Sequence, residues 1–145
     1  MRDSMSSSVA NFTRALLLCS SLTVVAMTAT PASAEPADTF LGKYNYCDAV
    51  ILGAYWGVDA YQAKVTGGTK IEVGNNSTLK QVLKTARRQS QCQYGDTGFD
   101  FDDAQALATY WGRSIVDAKA KVVTFFSTGD AGKARKALKA ARTPS

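Results

Sequence analysis

Side chains able to do acid–base chemistry near neutral pH are scarce in this chain of 145 residues. It has no histidine, which removes the usual neutral-pH proton carrier and the commonest zinc ligand. No nucleophile elbow, phosphate-binding loop or dinucleotide fingerprint occurs. Two converging aspartates could in principle support hydrolysis, although the sequence alone cannot place any two together. We therefore expect a protein that is not an enzyme, with a small carboxylate-dependent hydrolase as an alternative.

The densest acidic cluster could suggest a cation site. Its members are Asp96, Asp100, Asp102 and Asp103. A calcium-binding loop needs a glycine at its sharp turn and a glutamate at its last position. The glycine is missing, and Trp111 stands where the glutamate should be. The sequence therefore predicts no metal site and no cofactor.

The first 34 residues have the parts of a secretory signal peptide. A polar start with Arg2 and Arg14 precedes the apolar residues 15–27, and small residues at 32–34 form a cleavage site. The apolar stretch is shorter than the roughly 18 residues of a spanning helix. We expect cleavage after Ala34, and a mature chain that is periplasmic or secreted and does not span the membrane.

The cysteines agree with export. Loss of Cys19 with the signal peptide leaves two, Cys47 and Cys92. An even number of cysteines in an oxidising compartment predicts a disulfide. Two free thiols in redox chemistry are a weaker interpretation, because the Cys-x-x-Cys spacing is absent.

Residues 44–87 and 99–142 align without a gap at an offset of 55 positions. Both segments contain the triplet Tyr-Trp-Gly, and these are the two tryptophans of the chain. Further identities run along the alignment, including Asp48/Asp103, Lys64/Lys119, Gly74/Gly129 and Arg87/Arg142. Two tryptophans in register are hard to obtain by accident, so we interpret the mature chain as a tandem duplication.

Each copy predicts three helices. Asn45 and Asp100 are predicted caps of the first helix, and each has an aspartate three residues further on. Gly57 and Gly112 are natural left-handed stops for the same helix. A second and a third helix follow, with apolar residues at helical spacing. A short β-hairpin at 65–73 and 120–128 is the alternative for the second helix, because Gly67-Gly68 weakens a helix and the neighbouring residues favour strands.

These patterns predict an all-α fold: two three-helix units packed together with pseudo-twofold symmetry and tied by one disulfide. The expected organisation is a signal peptide (1–34), a flexible segment (35–43), one helical domain formed by repeat 1 (44–87), a linker (88–98) and repeat 2 (99–142), and a tail (143–145).

The duplication also selects candidate binding residues. The Tyr-Trp-Gly triplets could form an aromatic platform, but Trp at a helix corner and Gly in the turn are better explained by folding. The matched residues that the core does not need are Tyr55, Tyr110, Lys64, Lys119, Arg87 and Arg142. A structural explanation exists for the charged ones, since they can pair with capping aspartates or helix ends.

The last predicted helix has a basic face formed by Lys133, Arg135, Lys136 and Lys139. It could contact an anionic surface or an acidic protein. Its opposite face is mostly alanine, too small to insert deeply into lipid. No aromatic residues are interleaved with the bases as nucleic-acid binding would need, so we expect no nucleic-acid partner.

Together these observations favour a non-enzymatic, exported binding module whose partner is another exported or envelope protein. A specific version is an inhibitor or immunity-type protein that blocks an exported toxin or hydrolase. The alternatives are a protein that associates with the envelope surface through its basic last helix, and the small hydrolase named above.

Overall fold

A computed structural model of the chain describes residues 34–143. The predicted signal peptide, apart from Ala34, and the last two tail residues lie outside this part. Every regular element in the described residues is helical, which confirms the all-α fold. The elements are α1 (Pro36–Leu41), α2 (Tyr46–Trp56), α3 (Ala60–Glu72), α4 (Asn76–Ala86), a 3-10 helix (Tyr94–Thr97), α5 (Phe101–Trp111), α6 (Ile115–Thr128) and α7 (Ala131–Ala141).

Six of these helices fall into a first half (residues 44–87) and a second half (residues 99–142), while α1 precedes the first half and the 3-10 helix lies between the halves. The bounds of α2 and α4 recur in α5 and α7 at an offset of 55, and α3 and α6 begin at the same offset. One buried core cluster contains side chains from both halves, and α2 contacts α6, so the halves pack together. The duplication and its pseudo-twofold symmetry remain predictions.

The first helix of each half is delimited by the predicted residues. The Asp48 N–H donates to Asn45 Oδ1 at 3.0 Å, and the Asn45 N–H donates to Asp48 Oδ2 at 3.2 Å. Asp100 and Asp103 exchange the same two bonds at the start of α5. At the other end, Gly57 closes α2 with a left-handed backbone, φ 71°. Local sequence alone therefore sets both ends of these helices.

The hairpin predicted as an alternative for the second helices is wrong. Both α3 and α6 are continuous helices through the segments in question. Gly67 and Gly68 do not break α3, because another helix packs against them and stabilises the helical backbone. Only glycine leaves enough space for that contact. A Cβ at Gly67 would overlap the ring of Phe40, and one at Gly68 would overlap the carbonyl group of Pro36. The glycine pair is a flat surface against which another helix lies.

That other helix is α1, which lies within residues 35–43, the segment predicted to be flexible. This expectation is wrong: α1 packs on α3, and Phe40 is completely buried. The Thr39 hydroxyl donates to Glu72 Oε1 at 2.8 Å across the same contact. Pro36 occupies the first turn, where its missing N–H and fixed φ suit a helix start. A six-residue helix is stabilised here by burial of its aromatic ring rather than by its own length.

The two tryptophans lie at the edge of the core. The largest buried side chains are Phe40, Ile51, Leu52, Leu79, Leu83, Leu107, Val122 and Phe126. Trp56 and Trp111 are half-buried and pack against this cluster from its edge. They therefore border the surface at the helix corners instead of filling the interior.

The predicted disulfide is confirmed. Cys47 on α2 is bonded to Cys92 in the linker, with their Cα atoms 5.3 Å apart. Both cysteines are buried. Cys92 Sγ lies 3.7 Å from the Ser127 hydroxyl on α6, so the bridge sits where the two halves meet. Within residues 34–143, no helix is both long enough and apolar enough to cross a membrane.

Candidate functional site

The matched arginines hold each half together. Arg87, at the end of α4, donates to Asp48 Oδ1 at 2.6 Å. Arg142, at the end of α7, forms the equivalent ion pair with Asp103. Each aspartate therefore caps the first helix with one oxygen and binds the arginine with the other. Both arginines therefore have a partner within the protein.

The two ion pairs differ in their surroundings. The Arg87 side chain is 23% exposed, whereas that of Arg142 is 57% exposed. The Arg87 guanidinium also lies against Gly129 of the second half, and its Nε is buried without a hydrogen-bond partner. Arg87 therefore contributes to the contact between the halves, and Arg142 does not have this role.

The matched lysines lie over aromatic rings. Lys64 Nζ is 5.5 Å from the ring centroids of both Tyr46 and Tyr61, and these residues form the first cluster. Lys119 Nζ is 5.1 Å from the Tyr94 ring and 5.3 Å from the Phe101 ring, and these form the second cluster. An ammonium group over a ring face is attracted by the ring quadrupole. The lysine therefore restrains both rings at the surface.

The rings of these clusters were missed by the sequence analysis. Tyr61 and Phe101 are each 56% exposed, and Tyr46 is exposed as well. Tyr46 and Phe101 occupy equivalent positions, and Tyr61 lies three residues before Lys64 on one helix. An aromatic residue preserved at an exposed helix start in both halves was a signal that could have identified them.

Tyr55 and Tyr110 are both exposed, as expected. Tyr110 belongs to a concave surface between α5, α6 and α7, with a volume of about 320 Å³, which we call the second-half groove. Its lining residues are Tyr110, Trp111, Phe125, Lys133, Lys136, Ala137 and Ala140. Three aromatic residues and two lysines are thus among its lining residues.

The predicted basic face is divided by the packing of α7. Lys133 and Lys136 line the second-half groove. Arg135 and Lys139 lie on another side of the helix, where they line a shallow surface together with Arg142. All four basic side chains are exposed. The face is therefore two separate basic surfaces instead of one stripe.

A second concave surface, the junction cleft, lies where the halves meet and has a volume of about 540 Å³. Its charged lining residues are Lys43, Asp48, Arg87, Asp96 and Arg135. Both carboxylates are engaged: Asp48 as described above, and Asp96 as acceptor from the Gln93 N–H at 2.8 Å. The cleft thus contains two aspartates, each already bound within the fold.

Two tyrosines near these surfaces keep their protons at neutral pH. Burial raises the pKa of Tyr44, and the nearby Asp48 carboxylate adds to the effect. Its hydroxyl donates to Asn76 Oδ1 at 2.7 Å. Burial, with the charges of Asp103 and Asp100, raises the pKa of Tyr94 to about 12. The Tyr94 hydroxyl donates to the Asp100 carbonyl at 2.6 Å, so both tyrosines act as hydrogen-bond donors.

In residues 34–143, no three histidine, cysteine, aspartate or glutamate side chains come together as a metal site would require. Asp100 and Asp103, from the acidic cluster, are used as helix caps. No protein-family model, curated protein or solved structure matches this chain.

Proposed function

We propose that this chain is an exported binding module that acts by protein–protein contact rather than by catalysis. The observation that supports it best is the pair of aromatic–lysine clusters at the surface, one around each of the matched lysines. Tyr and Phe are enriched at the centres of protein interfaces because they bury a large area with few rotatable bonds. Exposed rings held in place by a lysine lose less entropy when a partner covers them.

A specific version of this proposal is an inhibitor or immunity-type protein directed at an exported toxin or hydrolase. A rigid scaffold supports it, since preorganised surfaces bind with smaller ordering costs. The disulfide, the double capping boxes and the short connections between helices supply such rigidity. The partner class remains an exported or envelope protein.

The test is capture of a partner from the native envelope by the full-length protein, tagged at its carboxyl end. We expect one specific partner to be retained, and the double substitution Tyr46→Ala with Phe101→Ala to reduce its retention at least about tenfold, as loss of two interface anchors should. Val73→Ala is the matched control, because Val73 is exposed but lies outside both clusters. Secreted amounts and helical content of all variants are measured alongside.

Absence of any specific partner, or undiminished retention by the double variant, would contradict the proposal. Equal losses in the cluster variant and the Val73 control would point to general destabilisation and would also count against it.

Association with an anionic envelope surface is the first alternative. It would use the exposed basic side chains of α7, chiefly Lys133, Arg135, Lys136 and Lys139. Electrostatic association of this kind weakens steeply with salt. Retention on anionic vesicles at low salt, lost at higher salt, would support it, and no retention at low salt would exclude it.

The carboxylate-dependent hydrolase is the less favoured alternative. Asp48 and Asp96 line the same junction cleft, as such an enzyme would require. Yet Asp48 already accepts bonds from Arg87 and from a backbone N–H. A carboxylate held in this way is badly placed to move a proton to or from a substrate.

A further inference from the structure

We propose that the second-half groove binds an acidic segment of the partner protein, with one large apolar side chain in the groove and carboxylates on either side. This inference rests on the proposed function and names the surface and the chemistry of the partner. It concerns a surface separate from the two aromatic–lysine clusters.

The apolar side chain of the ligand is inferred from the aromatic and alanine residues that line the groove. The Trp111 and Phe125 rings meet edge to face, with centroids 6.3 Å apart. Ala137 and Ala140 line the same groove, and their small side chains occupy little of it. A volume of about 320 Å³ is at the small end of ligand pockets. The groove therefore has room for an aromatic or large aliphatic side chain together with its flanking backbone.

The carboxylates of the ligand are inferred from the lysines at the groove. Lys121 Nζ lies 4.4 Å from the centroid of the Trp111 ring, and Lys133 and Lys136 line the same groove. Lys133 pairs with Asp130 at 2.8 Å. Among residues 34–143, no carboxylate lies within ion-pair distance of Lys121 or Lys136. Within this part of the chain, neither ammonium group is held in an internal ion pair, so both can bind carboxylates of a ligand.

The first half shows that these lysines are not required by the fold. Tyr55 and Trp56 are equivalent to the Tyr-Trp pair of the groove, but Thr66, Thr78 and Gln81 stand where the second half has its three lysines. Lys70 stands where it has Phe125.

The basic side chains that only the second half has are concentrated near this groove. Between the aligned halves, four positions have a basic side chain in the second half only: Arg113, Lys121, Lys133 and Lys136. Two of the four line the groove, and Lys121 lies over two of its aromatic rings. A merely solvated helix face gives no reason for that concentration, whereas a site for an acidic ligand does.

A protein segment fits these observations better than a membrane or a nucleic acid. A bilayer needs a projecting apolar surface, but these rings lie in a concave groove. Single-stranded nucleic acid is bound along a basic groove with several ring faces for successive bases, whereas this groove is a single small concave surface. Carboxylates spaced around one apolar residue match both the charges and the shape.

The test is binding of a blocked pentapeptide, Asp-Glu-Phe-Glu-Asp, to the full-length disulfide-bonded protein by calorimetry. The triple variant K121T, K133T, K136Q installs the first-half residues and should weaken binding at least about tenfold, as loss of close charge pairs does. The matched control R113V, K80T, K84T also removes three positive charges, all outside the groove, and should weaken binding less than about twofold. The neutral peptide Asn-Gln-Phe-Gln-Asn should bind at least about tenfold more weakly.

A second variant tests the shape and keeps every charge. Ala140→Leu fills the groove from an exposed helix position and should also abolish peptide binding. Equal weakening in the groove variant and its control would show only general attraction of charge and would overturn the proposal. Failure of the peptide to bind would overturn it too, including the case in which anionic vesicles or inorganic phosphate bind instead.

The groove and the proposed function can fail separately. If the triple variant still retains the envelope partner while the Tyr46 and Phe101 variant does not, the binding module stands and the groove proposal fails. If the acidic peptide binds the groove but no envelope partner is retained, the proposed function fails.

Discussion

The two halves cover the same face of their second helix in different ways. In the first half, α1 lies on Gly67 and Gly68 of α3, and Phe40 fills the space that the glycines leave. In the second half, Val122 and Val123 occupy the equivalent positions of α6, where Val122 is buried and Val123 is half-buried. The first half fills these positions with the ring of Phe40, which lies outside the repeat, whereas the second half fills them with its own valine side chains. A glycine pair in a helix can therefore mark the surface on which another helix packs, instead of the end of the helix.

The disulfide is the largest difference between the halves, because Asp102 stands in α5 where α2 has Cys47. Replacing both Cys47 and Cys92 by Ala should lower the free energy of unfolding by about 4 kcal/mol, since a closed loop of this length restricts the unfolded chain. Urea unfolding measures it. Asp102→Ala is the second-half counterpart and should change stability by less than about 0.5 kcal/mol. Equal unfolding midpoints with and without reductant would contradict the expectation.

The glycine pair gives the next effect. Gly68→Ala places a methyl group against the carbonyl of Pro36, so α1 must move away, and we expect a loss of about 3 kcal/mol, the upper end for overpacking. Val123→Ala, at the equivalent position, should cost only about 1 kcal/mol. Urea unfolding gives both values, and limited proteolysis should cut the Gly68 variant within residues 35–43. A Gly68 variant as stable as the natural protein would refute the role of the pair as a docking surface.

The ion pairs give the smallest effect. Arg87→Met should cost about 2 kcal/mol, because it leaves the buried Asp48 carboxylate without its cation. Arg142→Met should cost about 1 kcal/mol or less, because the Arg142 side chain is mostly in water. Unfolding at low and high salt measures both and should show the larger salt effect for the Arg142–Asp103 pair. A reversed order of stability would contradict the assignment of Arg87 to the contact between the halves.

Features fixed by neighbouring residues could be read from the sequence. The reciprocal caps at Asn45 and Asp100 and the stops at Gly57 and Gly112 depend on residues within one helical turn, and the structure has all four. The disulfide followed from counting cysteines.

Features that depend on distant residues could not be read in this way. The six residues of α1 have no periodic pattern. The helix forms because Phe40 packs against Gly67, which lies far along the chain. The second-half groove is similar, since Lys121 and Lys136 come from separate helices. Lys64 and Lys119 were identified as candidates, but their ring partners became visible only in three dimensions.

The position of Arg87 over Gly129 has an evolutionary consequence. Gly129 has a left-handed backbone, φ 90°, and any side chain there would also displace the guanidinium. Its counterpart Gly74 has the same handedness, φ 81°, but open space around it. Asparagine tolerates the left-handed region, so homologous chains should accept it at position 74. They should keep glycine at position 129 for as long as an arginine is kept at position 87.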